Sequence, residues 1–116
     1  VLTEMPVKSA LELAWDARLP AGRHRLRGRS WSGAGRIDRV EVSLDSGASW
    51  RRARLLEPNF PAAWVRWEVE WEARPGRHRL LARATDDRGR TQPDQAVGNP
   101  LGYFFDAVIP HPVRVE

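Results

Sequence analysis

The stretch Arg36–Trp50, RIDRVEVSLDSGASW, leaves this chain few ways to fold. Val40, Val42 and Leu44 alternate with Arg39, Glu41 and Ser43. A period of two puts one row of side chains on a core and the other in water, as in a half-buried strand. Asp45, Ser46 and Gly47 then supply turn chemistry: short polar side chains that bond nearby backbone, and a glycine free to take positive φ. The chain reverses there. Trp50 restarts the apolar pattern on the return, where a large ring fixes the register by packing. The rest of the chain is then expected to be sheet built around this hairpin.

The same period recurs on both sides. Residues 1–6 read as a leader, and residues 7–116 as one domain. Leu11, Leu13 and Trp15 alternate with Glu12 and Ala14, which predicts a first strand over Val7–Trp15 at a sheet edge. After a turn at Pro20–Gly22, His24, Leu26, Gly28 and Ser30 share one face while Arg23, Arg25, Arg27 and Arg29 share the other. Ala53 and Leu55 continue the returning strand until Pro58, Asn59 and Pro61 break it. In WVRWEVEWE, Val65, Trp67, Val69 and Trp71 fall inward, and Trp64, Arg66, Glu68 and Glu70 outward. A turn at Arg74–Gly76 leads to a strand with His78, Leu80, Ala82 and Ala84 inward and Arg79, Leu81, Arg83 and Thr85 outward. A last strand over Gly102–Val115 is interrupted by Pro110 and Pro112, which confine that part to an edge or bulge. No segment carries a persuasive helical period. About seven short strands joined by hairpin turns predict an all-β fold, an immunoglobulin-like antiparallel β-sandwich, with a small barrel as the alternative.

Composition narrows what such a sandwich can do. At 116 residues, with 41% apolar content and six tryptophans, the chain can bury one packed core, and Trp31, Trp50, Trp67 and Trp71 are its expected centre. No run is apolar enough to span a bilayer and there is no signal-peptide pattern, so the chain reads as soluble and not membrane-bound. Zero cysteines exclude disulfides and thiolate-bound metal, and leave periplasm and cytoplasm equally open. The formal charge is +4, almost all of the cations being arginines interleaved with glutamates. That pattern favours a salt-bridged sheet face, Arg23–Arg29 pairing with Glu12, Glu68 and Glu70, over nucleic-acid binding. His24, His78 and His111 are too dispersed for a metal site and read as core or boundary residues. Asp86 and Asp87 before Gly89 read as a turn, because the further oxygen ligands of a cation loop are missing. No nucleophile elbow or phosphate loop is present, so no complete active site can be assembled. Trp64 stands on the face opposite Trp67 and Trp71, with Arg66 beside it and Arg25 and Arg27 nearby. Tryptophan and arginine on one face are what protein interfaces enrich, which makes these four the interface candidates.

The runs RLRGRSWSGAGRIDRVEVSLDSGASW, AWVRWEVEW, PGRHRLLARATDDRGRTQP and NPLGYFFDAV, in that order, resemble the C-terminal dimerisation domain of the sulfite oxidase family of molybdenum-cofactor oxidoreductases. The resemblance covers nearly the whole chain from Val7 and implies the same immunoglobulin-like sandwich. It also implies a noncatalytic module, not an enzyme on its own, that forms a homodimer with an isologous interface and packs beside a cofactor-binding domain of the same protein or of a separate subunit. Molybdenum-molybdopterin and its cysteine ligand would belong to that other domain of the parent, and this chain would hold no cofactor. In animal and plant sulfite oxidases the motif NLRG brings an arginine to the oxyanion pocket. The run here is Asn99, Pro100, Leu101 and Gly102. Leu101 stands at the arginine position and cannot pair with an oxyanion, which argues against sulfite as the parent's substrate. The alternative is a free-standing immunoglobulin-like module that takes an anionic ligand on its arginine face.

Overall fold

A computed structural model describes residues 7–33, 35–61, 63–92, 108 and 110–116. Among the described residues the strands are β1 (Val7–Leu11), β2 (Ala17–Leu19), β3 (Gly22–Ser32), β4 (Ile37–Ser43), β5 (Arg51–Arg52), β6 (Arg54–Leu55), β7 (Trp64–Ala73), β8 (Gly76–Asp86) and β9 (His111–Val115). They form a four-stranded sheet, order β1-β3-β7-β6, and a five-stranded sheet, order β2-β9-β8-β4-β5. All pairings are antiparallel except β2 with β9. The two sheets enclose one core, which is the expected immunoglobulin-like sandwich.

The long strands follow the period of two. β3 and β7 pair without a break from Gly22↔Ala73 to Trp31↔Trp64. Their inner rows, Leu26, Gly28 and Ser30 against Val65, Trp67, Val69 and Trp71, are buried. Val40, Val42, Leu80, Ala82, Ala84, Val113 and Val115 meet them from the other sheet. Trp67 is fully buried, and Gly28 across the register makes room for it: a Cβ at Gly28 would lie 2.2 Å from the Trp67 Cζ2. The indole N–H donates to the Ser30 Oγ at 3.0 Å, so the largest core ring leaves no polar atom unpaired.

The structure departs from the sequence reading where the chain changes sheets. The first strand stops at Leu11, not Trp15. The Glu12 N–H still bonds the Arg27 carbonyl at 2.8 Å. The chain then turns through Asp16, at φ 56°, to place β2 in the opposite sheet. Trp15 is left 65% exposed, its ring against the edge of His111 at 5.3 Å. The returning strand likewise divides: β5 pairs β4 and β6 pairs β7. Ala53, buried between them, bonds the Val40 carbonyl at 2.8 Å as the chain passes from one sheet to the other.

Two expected core rings lie elsewhere. Trp31 sits between the buried Ser30 and Ser32, so strand parity turns it onto the outer face, where it is half-buried. Trp50 is also half-buried, and the Arg83 guanidinium lies 4.0 Å from its ring centroid. On β8 the outward Leu81 and Thr85 are buried as well. Trp50, Gly47, Val108 and Pro110 line the space over Leu81, and Thr85 bonds the Thr91 hydroxyl at 2.9 Å. β9 is an inner strand, but Pro112 lies before the first residue that pairs with β2, so no ladder bond to β2 is lost. The expected strand residues 102–107 and 109 lie outside the described residues.

At the hairpin tip Asp45 accepts from the Ser49 hydroxyl, from the Ser49 N–H at 2.8 Å and from the Ser43 hydroxyl at 2.8 Å. The Ser49 hydroxyl first, then its N–H and the Ser43 hydroxyl, hold the Asp45 carboxyl down at about 2, against an ordinary 3.8. A carboxylate with a depressed folded pKa stabilises above its unfolded value, and that contribution is lost as pH falls through the folded pKa. Asp45→Asn should therefore lower the thermal midpoint at neutral pH and lose less of it between about pH 4 and about pH 2 than the parent does. Parallel acid profiles for the two proteins would show that the hairpin carboxylate is not linked to folding.

Candidate interaction surface

The outer face of the four-stranded sheet is graded along its length. At one end the register aligns Lys8, Trp31 and Trp64 across β1, β3 and β7. The Lys8 ammonium lies 5.7 Å from the Trp31 ring centroid, the two indole rings are 6.2 Å apart, and the Arg29 guanidinium is 5.6 Å from Trp64. Trp64 is 45% exposed. The next row faces Arg29 with Arg66, and Arg66 reaches Glu12 at 3.2 Å. Beyond it the arginines of β3 meet the glutamates of β7. Arg27 pairs Glu68 at 3.7 Å, Arg25 pairs Glu70 at 3.0 Å and Arg23 pairs Glu72 at 3.7 Å. Glu68 also takes a close hydrogen bond from Arg54 on β6, and between these arginines it is buried although it faces outward. Arg54's hydrogen bond, followed by the charges of Arg54, Arg25 and Arg27, outweighs desolvation and holds the Glu68 carboxyl below its ordinary range. The Glu70 hydrogen bond and the Glu68 and Glu70 charges raise the Arg25 guanidinium in turn. The Arg25–Glu70 and Arg23–Glu72 pairs are exposed, so solvent screens them and each adds little to stability. Their effect is to neutralise this part of the face.

The expected site residues Trp64, Arg66, Arg25 and Arg27 therefore share one face but divide in character. Trp64 and Arg66 belong to the aromatic and cationic end, Arg25 and Arg27 to the paired ladder. Trp31 and Lys8 complete the aromatic row; strand parity alone would have put Trp31 there. Phe60, 61% exposed beside Pro61, is a further bare ring that its loop setting hid. Leu101 lies outside the described residues.

The histidines are used structurally. The Nε2 atoms of His24 and His78 bond the carbonyls of Pro20 at 2.6 Å and Arg74 at 2.7 Å, and the two rings flank Trp71 at 6.2 and 5.2 Å. These matched contacts come from a repeated pentapeptide, Gly-Arg-His-Arg-Leu, at residues 22–26 and 76–80. Each copy opens from a glycine at positive φ, 127° at Gly22 and 134° at Gly76. Asp86, buried at the end of β8, does accept the turn N–H groups of Arg88 at 3.0 Å and Arg90 at 2.9 Å. It also takes the Ser32 hydroxyl at 2.9 Å and the Arg90 Nε at 3.0 Å.

Residues 1–109 match the family model described as the Mo-co oxidoreductase dimerisation domain. The chain belongs to that family. Sulfite oxidase of Gallus gallus is 36% identical to this dimerisation domain over 100 residues, 80% of the chain and 22% of the relative. An inducible NADH nitrate reductase of Glycine max is 34% identical over 98 residues, 77% of the chain and 11% of the relative. Among solved structures, the sulfane dehydrogenase SoxCD of Paracoccus pantotrophus superposes with a TM-score of 0.71 at 35% identity, covering 77% of the domain and 24% of its own chain. The domain thus spans about a fifth or less of the length of these curated relatives. The chain has no cysteine to ligate molybdenum, and among the described residues no cluster of three histidine, cysteine or carboxylate side chains could hold a metal ion.

Proposed function

We propose that this domain joins two copies of a larger, sulfite-oxidase-like molybdenum-cofactor oxidoreductase through the outer face of its four-stranded sheet. It is noncatalytic by itself and packs beside the parent's cofactor domain, which supplies molybdopterin and the metal's thiolate. One observation supports this choice of face. The Lys8–Trp31–Trp64 row leaves a 45% exposed indole at one end of a surface whose other end is charge-paired. The reading of the arginine face as an anion-binding surface finds less support, because Arg23, Arg25 and Arg27 each face a glutamate. With leucine at position 101, the run aligned with the sulfite oxidase motif lacks its arginine, which weighs against sulfite as the parent's substrate.

Sedimentation equilibrium over a wide concentration range tests the proposal. The domain should dimerise, and the dimer should persist in high salt, because a burying indole is not screened as a surface charge is. Trp64→Ser should weaken the dimer by about 2 kcal/mol or more, the loss expected of an aromatic anchor that becomes buried on docking, and Arg25→Ser by much less. A domain that stays monomeric at every concentration sinks the dimer reading. A dimer indifferent to Trp64→Ser and Arg66→Ser sinks only the choice of face.

A further inference from the structure

The repeated pentapeptide provides an internal comparison. In its first copy Arg23 and Arg25 face Glu72 and Glu70 across the register and pair with both. In its second copy Arg77 faces Arg114 and Arg79 faces Pro112. Arg114 in turn faces Arg18 on β2, so the outer side of the five-stranded sheet carries Arg18, Arg114 and Arg77 on three successive strands, with Arg79 one pleat further on. None of these four has an ion pair or a side-chain hydrogen bond among the described residues. Arg18, Arg77 and Arg79 are exposed, and Arg114 is half-buried. Like charges placed directly opposite one another destabilise a sheet. The same five residues that are neutralised on one sheet are thus set against more positive charge on the other.

We propose that this arginine row is a docking surface for an acidic polypeptide segment. Adjacent strands are about 4.8 Å apart, close to the 5–6 Å that separates side chains at i and i+3 or i+4 on a helix. A helix bearing carboxylates at that spacing can offer one to each guanidinium fork in a bidentate pair. A small oxyanion fits less well. The cleft of about 190 Å³ beside Arg77, Arg79 and Arg114 has the carboxylate-bearing Asp16 among its lining residues and does not include Arg18, so a single small anion there would meet a like charge and leave part of the row unused. This surface is on the opposite sheet from the proposed dimer face, and its test does not depend on dimerisation.

The experiment measures binding of fluorescein-labelled poly-L-glutamate to the domain by anisotropy at several salt concentrations. Two double variants with equal charge are compared, Arg77→Ser with Arg114→Ser, and Arg36→Ser with Arg88→Ser, two exposed arginines beyond the other end of β8 and outside the proposed dimer face. Circular dichroism first establishes that both are folded. The first should weaken binding about tenfold or more and the second about twofold or less, with affinity falling as salt rises. Equal losses overturn the proposal, since net charge alone would then account for binding. Competition by sodium sulfate well beyond that of sodium chloride at matched ionic strength would mean a small-oxyanion site. Heparin outbinding polyglutamate through the same arginines would mean a sulfated polysaccharide. Either result overturns the polypeptide assignment.

Discussion

Replacing Trp67 with alanine should lower the stability of the domain by about 3 to 5 kcal/mol, the range for deleting a large buried ring whose cavity cannot fully collapse. The packing explains why collapse is limited. The ring is fully buried between the sheets, with Gly28 opposite it and Val65 and Val69 as its inward neighbours on β7. None of these can reach into the space an indole leaves. A second component is polar: the Ser30 hydroxyl loses the indole N–H at 3.0 Å, though it keeps Ser9 at 2.7 Å. Trp67→Phe helps to separate the two, because it removes the donor while keeping most of the apolar volume. It should cost clearly less than the alanine variant. Urea denaturation with an unchanged m-value measures both. A loss below about 1 kcal/mol for Trp67→Ala would mean that the core repacks and that this ring is not its centre.

A loss of that size is a large fraction of a small domain's stability, and it bears on function because the proposed interface is the other side of the same strands. Trp67 points in from β7 while Trp64 and Arg66 point out of it. Dimer measurements on core variants therefore report folding as well as docking, and outward substitutions such as Trp64→Ser separate the two.

Much of this was legible as parity. Along β3, β7 and β8 the alternation of apolar and charged residues gives the inner rows, and it places Trp64, Arg66, Arg25 and Arg27 on one face. Parity fails where the chain changes sheets. Nothing local distinguishes Leu13 and Trp15 from a continuing strand, and only the partner available to β2 across the sandwich ends it at Leu11. Ala53 presents the same difficulty: the alternation runs through it although the ladder passes to the other sheet. Trp31 shows the opposite error, a ring assigned to the core by its size when its parity with Arg29 already placed it outside. The identical pentapeptides mark the limit most plainly. Their backbone turns and histidine contacts repeat, but whether their arginines meet glutamate or arginine is decided by strands distant in sequence.

Asp86 is the second position of large expected effect, and the turn chemistry visible in the sequence understates its role. Burial pushes its carboxyl up, but the Arg90 N–H, the Ser32 hydroxyl, the Arg90 guanidinium and the Arg88 N–H together hold it below its ordinary range. Its side chain is 0% exposed, whereas that of Arg90 is 26% exposed. Asp86→Ala removes the acceptor shared by the Arg88 and Arg90 turn N–H groups, the Ser32 hydroxyl and the Arg90 guanidinium, which is itself only partly open to water. Breaking a buried pair by deleting one partner costs about 3 to 5 kcal/mol, and the partial hydration of Arg90 puts this case near the lower figure. A pH profile distinguishes this from simple packing loss. A depressed carboxyl pKa gives stability that is present above the ordinary aspartate range and is lost as pH falls through the folded value. The parent should therefore lose stability in acid more steeply than Asp86→Ala, and the gap between them should close as the carboxyl protonates. A gap that stays constant from neutral pH into acid would assign the loss to shape alone, and the charge of Asp86 would then have no part in holding Ser32, the turn at residues 87–90 and the end of β8 together.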